Sequence, residues 1–495
     1  MDRGRCRIVC RVATPLALAA LACLAACSDA GSKRGIALAE CRLPRFAQPA
    51  QCGTLEVPED RARPAGRKIS LFVAVLPANT LTPKPDPLLI LAGGPGQAAS
   101  YLAPFAAQLN AVRRTRDIVL VDQRGTGRSS PLQCFAFEPR RQDTYETDPQ
   151  PRARLCADEL RANGIDAAQY TTSAWVADID AVRAALGYPR LNLWGGSYGS
   201  RAALEFLRRH PDRVRSVVLD GVVPPQMIVS LDVWPTRDAE LSAVIDACRR
   251  SAPCAAAHPD PAATLAAIAR ELGPDGKSVA LADPRTGAPT TAIVTFDLVM
   301  GALQPLVYAP ELSGLIPELL DRAKAGDYAP LVASVDVMSG SLAEQMNAPL
   351  HYSVTCAEDV PRITGDEPVR RLDGVRAVNL AHLVIAVCDS WPRGEMPADF
   401  SKPVQSNVPV LLLSGELDPV TPPAYAAEVA RTLPNSRQVV AGGMGHIVSS
   451  HGCAPRLIAG FIENGGFAEW LAAGVEKLAK GERPPLWPDR LAPQP

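Results

Sequence analysis

Two runs along the chain are continuously apolar and end in turn-forming residues, "DPLLILAGGPG" and "RDIVLVDQRGTG", and two further strand-like runs follow, "RLNLWGGSYG" and "VRSVVLDGV". A strand covered on both faces has no polar side, so such runs predict buried parallel strands. Between them lie stretches of helical period. Residues 101–114 form one, and "SAWVADIDAVRAALG" another, with Trp175, Ile179, Val182 and Leu186 on one face, Ser173 as N-cap and Gly187 as stop. "SRAALEFLRRH" is a third, ending before Pro211. Two β-rich runs, "CGTLEVPED" and "KISLFVAVLPA", precede this alternation. Strand–helix alternation predicts an α/β fold with a mainly parallel sheet and helices on both faces.

The pattern changes after "VVPPQ". Residues 227–400 read mainly as helices, with one hairpin in "KSVALADPRTGAPTTAIVTF". Alternation resumes with "VPVLLLSGELD", a helix over "AYAAEVARTLP", the strand "RQVVAG" and a helix over "APRLIAGFIENG". The expected organisation is a core over 40–226 and 401–480, a mostly helical cap inserted over 227–400 before the last core strands, and an irregular Pro-rich tail over 481–495.

The N-terminus adds a separate element. Arg3, Arg5, Arg7 and Arg11 precede an apolar stretch too short to span a bilayer, as in a signal peptide over 1–26. "LAAC", ending at Cys27, resembles a bacterial lipobox, which makes Cys27 the expected lipidation site, with an ordinary secretory signal as the alternative. Removing 1–26 takes the net charge from −1 to −4, since four arginines and one aspartate leave with it. Near-balanced charge, with 21% charged residues, offers nothing to nucleic acid. An exported protein meets an oxidising compartment, and nine cysteines follow Cys27. Proximity in sequence suggests Cys41–Cys52, Cys134–Cys156, Cys248–Cys254 and Cys356–Cys388, with Cys453 left over; spacing alone does not decide connectivity.

Candidate chemistry centres on Gly195-x-Ser197-x-Gly199, between a predicted strand and helix. A serine on such a tight turn exposes its Oγ at a helix N-terminus and needs small neighbours. It also needs a base held by a third group. In α/β-hydrolases the order is serine, acid, histidine. Of six histidines, only His446 and His451 follow the last predicted strand; His446, in "GGMGHI", comes first and is the expected base. Asp418, at the exit of "LLLSGELD", is the expected acid, with Glu416 as a lesser alternative and Asp220 read as a turn cap. The backbone N–H groups of Tyr198 and Gly94 are the expected oxyanion donors. Arg124 in "DQRGTG" reads as a brace for its loop. His446, His451 and Cys453 do not share a helical face and have no nearby carboxylate or second cysteine, so no metal site and no cofactor are expected.

Taken together, "GGPG", "VDQRGTGRSS", "GGSYGS", "SGELDPVTPP" and "GMGH" resemble the prolyl iminopeptidase and tripeptidyl aminopeptidase-like branch of the α/β-hydrolases, with Ala92 where many relatives carry histidine. That resemblance implies a serine aminopeptidase that releases one to three residues from short peptides, under a cap that restricts it to peptide N-termini. It also implies an anion for the substrate amine. Glu358 and Asp359 in "HYSVTCAEDVPR" are the expected pair, unless they cap the next turn or pair with Arg362. An esterase with the same machinery and an inactive binding lipoprotein are the competing readings. The expected partners are short peptides and, through the lipid anchor, a membrane of the cell envelope.

Overall fold

The computed structural model describes residues 35–137, 148–283, 286–334 and 345–467. The expected signal peptide, the lipidation site Cys27 and the Pro-rich tail lie outside these residues. Nine strands form one sheet: β1 (Ala39–Cys41), β2 (Ala50–Pro58), β3 (Lys68–Leu76), β4 (Leu88–Leu91), β5 (Ile118–Val121), β6 (Leu191–Gly196), β7 (Val214–Asp220), β10 (Val410–Gly415) and β11 (Ser436–Ala441). Their order is β1-β2-β3-β5-β4-β6-β7-β10-β11. Pairing is antiparallel from β1 through β5 and parallel from β5 to β11. A separate hairpin joins β8 (Lys277–Ala282) to β9 (Pro289–Val294), where a hairpin is expected.

Strands β4 to β7 and β10 are buried almost throughout because both faces are covered. Alternate side chains point to opposite faces. On one face Val73, Leu89, Val119, Leu193, Val217 and Leu412 pack against α1 (Thr172–Ala185), α2 (Tyr198–Arg209) and α5 (Pro423–Ala430). On the other, Phe72, Leu88, Leu120, Trp194, Val218 and Leu411 pack against α6 (Ala454–Asn464) and the segment after β4. That segment is not the single helix expected over 101–114. It is a 3-10 turn, Ala99–Leu102, followed by Ala103–Gln108 and Asn110–Arg113, and Leu109 between the last two leaves the helical region at ψ 24°. The N-cap of α1 is Thr171 rather than Ser173, because the Thr171 side chain accepts from Ala174 N while Ser173 lies inside the helix.

Between β7 and β10 the chain leaves the sheet. It builds a second apolar core around α3 (Val229–Arg250), with Leu231, Ile245, Ile268, Met300, Leu320 and Ala381 fully buried in it or nearly so. The helix α4 (Ala348–Glu358) belongs instead to a third cluster. There Leu350, Val354 and Cys356 meet Tyr198 of the core.

The chain passes from β4 outward to β5 and then back across to β6. The carboxyl ends of β4 and β6 therefore flank the point where strand order reverses, the usual place for a ligand crevice in an open α/β sheet. "GGPG" leaves one of these ends and Ser197 the other.

Candidate active site

Ser197 joins β6 to α2 with φ 55° and ψ −126°, a conformation few non-glycine residues adopt. The strain is held from both sides. Ser197 N donates to the Asp220 carbonyl at 2.8 Å, and the Ser200 hydroxyl donates to the Ser197 carbonyl at 2.6 Å. Gly199 has to be glycine: a Cβ there would sit 2.2 Å from the Leu91 carbonyl oxygen of β4. Gly93 lies directly opposite the serine, where a Cβ would meet Ser197 Cβ at 3.2 Å.

Asp418 and His446 are brought together from 28 residues apart. The imidazole Nδ1 lies 3.0 and 2.9 Å from the two Asp418 carboxylate oxygens. Thr421 completes the donor set around Asp418, its hydroxyl donating at 2.7 Å and its N–H at 2.8 Å, while Val420 N donates at 2.9 Å. Burial alone would raise the Asp418 carboxyl, but the imidazole and the Thr421 donors outweigh it and hold it below its ordinary range. His446 shows the converse. Burial pushes it down, the Asp418 charge and hydrogen bond push it up, and the net is above the ordinary 6.5.

The His446 ring lies over the end of β7, since a Cβ on Gly221 would meet its Cε1 at 2.9 Å. Ser197 N is bonded to the residue just before that glycine, so imidazole and elbow meet at the same strand end. Asp220 does act as a turn cap there. Its buried carboxylate accepts from Val448 N at 3.1 Å and Ser449 N at 2.7 Å, fixing the loop that carries His446. Glu416 instead accepts from Gly443 N at 2.9 Å, within the turn. His451 is exposed. The four expected disulfides are all present, and Cys453 lies outside them as N-cap of α6.

Tyr198 is the first residue of α2, so its N–H is among the donors that a helix leaves without an internal partner. Gly94 sits at φ 111° in the loop facing it. Among the described residues neither N–H has a protein acceptor. The cap helix α4 touches both sides of this pair. At its start, Asn347 N donates to the Gly96 carbonyl at 2.9 Å and His351 Nδ1 lies 3.3 Å from the Pro95 carbonyl. At its end, Glu358 accepts from Thr172 N at 2.7 Å and from the Thr172 hydroxyl at 2.9 Å. That hydroxyl is 2.6 Å from the Tyr198 phenol, which also accepts from Gln123 at 3.1 Å.

Glu358 and Asp359, expected as the amine site, are both held in this network. Both are 1% exposed. Asp359 pairs with Arg201 at 3.0 Å and Arg362 at 3.1 Å, and accepts from Ser230 N at 3.3 Å. Protein donors engage both carboxylates. The sequence hides this because Arg201, Thr172 and Ser230 are each more than a hundred residues away.

Burial pushes the Glu358 carboxyl up to about 7, against the pull of Arg201 and the two Thr172 donors. The folded protein therefore holds this proton more tightly than the unfolded chain, whose ordinary value is 4.5. The associated stability is complete below 4.5 and is lost as pH rises to about 7, a change on the order of 3 kcal/mol. Glu358→Gln, which cannot ionise, should gain on the parent by that amount between pH 4.5 and about pH 8 in urea unfolding. A pH-independent difference would show that the carboxyl stays ionised in the fold.

Sequence reasoning missed Thr421, although its place in "ELDPVT", three residues after the acid, is a turn signal. It also missed Tyr308, which has no local signature. The Tyr308 carbonyl accepts from His446 N at 3.1 Å and its ring packs edge-on against the imidazole, with centroids 5.6 Å apart. Arg124 braces its loop as expected, forking onto both Asp178 oxygens at 2.7 Å.

Comparison with known proteins agrees with this architecture. Residues 86–331 match the family described as alpha/beta hydrolase fold, and residues 377–469 match the family described as TAP-like protein. The chain is 26% identical over 439 residues to a tripeptidyl aminopeptidase of Streptomyces lividans, covering 82% of this chain and 78% of that one. It is 26% identical over 426 residues to the serine protease Hip1 of Mycobacterium tuberculosis, covering 78% and 80%. A proline iminopeptidase of Neisseria gonorrhoeae is 32% identical over 136 residues, covering 28% of this chain and 32% of that one. With the sheet, the serine elbow and these relatives in view, the chain belongs to the α/β-hydrolases, in the serine-peptidase branch of the tripeptidyl aminopeptidases and proline iminopeptidases.

Proposed function

We propose that the protein is an exported serine aminopeptidase acting on short peptides through an acyl-enzyme. The observation that carries this is the buried Asp418–His446 pair, set against the same strand end as the strained Ser197. In this reading His446 takes the Ser197 Oγ proton as the oxygen attacks the peptide carbonyl. The N–H groups of Gly94 and Tyr198 receive the oxyanion. The imidazolium, held by Asp418, returns its proton to the departing amine, and water then releases the acyl group by the same path. The tripeptidyl aminopeptidase relative, aligned over 82% of the chain, supports release of short peptides from an N-terminus. Four disulfides support export, and the lipobox at Cys27 supports an envelope lipoprotein.

A chromogenic panel of mono-, di- and tripeptide amides, each with a free and an acetylated N-terminus, tests the reading alongside simple esters. Acetylation should lower kcat/KM by roughly a hundredfold, because it deletes a charge that a desolvated site must pair. Equal cleavage of free and acetylated peptides would end the exopeptidase reading. Cleavage of esters alone would favour an esterase. Failure of a fluorophosphonate to label Ser197 would leave an inactive binding protein.

A further inference from the structure

The cap carries a cation that this mechanism does not use. Arg237 lies on α3, its guanidinium 5.5 Å from the Trp234 ring centroid and 5.2 Å from that of Tyr308. It donates to the Tyr308 hydroxyl. The Tyr308 ring in turn packs edge-on against His446, so the guanidinium is one ring away from the imidazole. Its charge reaches two histidines, disfavouring protonation of both. One is His446; the other is His351, which contacts the "GGPG" loop through the Pro95 carbonyl. Arg237 thus stands near both His446 and the loop that faces Ser197.

Among the described residues no carboxylate lies within ion-pair distance of Arg237, and its Nε is buried without an acceptor. Two acids beside it on α3 are committed elsewhere, Asp232 to Arg371 and Asp238 to Arg376. A guanidinium presents a planar fork suited to a carboxylate. Left without one, it opposes the imidazolium that turnover must form. An anion delivered with the substrate would satisfy both.

We infer that Arg237 forms a subsite for a carboxylate of the peptide substrate, beside the Ser197–His446 centre. The inference rests on the peptidase reading. The carboxylate has two possible sources, the C-terminus of a short peptide or an Asp or Glu side chain. Three matched free-amine peptides separate them: a C-terminal acid, its carboxamide, and a carboxamide with one Gln replaced by Glu. Two quantities are measured on the purified chain: kcat/KM, and the concentration at which each peptide protects Ser197 from fluorophosphonate labelling.

One carboxylate-bearing peptide should exceed the neutral carboxamide by roughly ten- to a hundredfold in both measures, the range of hydrogen bonds to a charged group. Which one does so identifies the source. Arg237→Gln should bring that ratio close to one, and Arg237→Lys, which keeps the charge but loses the fork, should fall between. Equal ratios for all three peptides, or a preference retained in Arg237→Gln, would overturn the subsite and leave the peptidase reading standing. Better protection by a carboxylate peptide, without turnover of any peptide, would uphold the subsite and remove the peptidase reading.

Discussion

Ser197→Ala is expected to lower kcat on peptide amides by roughly 10⁵- to 10⁶-fold while leaving the thermal midpoint and substrate binding near those of the parent. The size follows from the site. Removing Oγ leaves His446 and Asp418 with nothing to activate, and only transition-state stabilisation by the N–H groups near Gly94 and Tyr198 remains. The fold should tolerate the change because the elbow is held by main-chain and neighbouring bonds. Ser197 N still reaches the Asp220 carbonyl and the Ser200 hydroxyl still reaches the Ser197 carbonyl. Active-site titration with a fluorophosphonate provides the second measurement: the parent should label once per chain and the variant not at all. A variant that kept more than about a hundredth of the parental kcat would show that another group is the nucleophile.

The parts legible in the sequence share a cause: they are set by neighbours or by chain order. "PLLIL" and "DIVLV" read as buried strands because a strand between two helical layers has no polar side. The pairing of Asp418 with His446 follows from their order after the elbow and from successive parallel strands placing both at one sheet edge. The disulfides follow from short separations, the longest being 32 residues. What stayed hidden depends on contacts between distant segments. Nothing near Glu358 announces that Thr172 will occupy it, 186 residues away. Nothing near Tyr308 announces that its carbonyl will hold His446. The helix α4 reads as one more cap helix, yet one end binds the "GGPG" loop and the other reaches Tyr198 through Thr172. Propensity had limits as well: Ser173 and Thr171 are both good caps, and only the fold selects Thr171.

Asp418→Asn should cost on the order of 10⁴-fold in kcat/KM near neutral pH and should also reshape the pH profile. In the parent the carboxylate receives Nδ1 and holds the imidazole above its ordinary 6.5. The base is active only when neutral, so kcat/KM of the parent should rise with pH along a limb centred above 6.5. An asparagine removes the charge that raises His446, and burial then dominates, so the limb should move to lower pH. The amide can also turn its NH₂ toward Nδ1, fixing the wrong tautomer and leaving the proton on the nitrogen that must accept one. Stability carries the same sign. His446, raised in the fold, contributes most below 6.5 and loses that contribution as pH climbs through its folded value. The variant should therefore lose more stability at low pH than at high. Thr421 gives the control: Thr421→Val deletes one donor to Asp418 but keeps the charge, so its limb should stay above 6.5 while kcat/KM falls far less. If Asp418→Asn lowered activity without moving the limb, the carboxylate would be orienting His446 without setting its basicity.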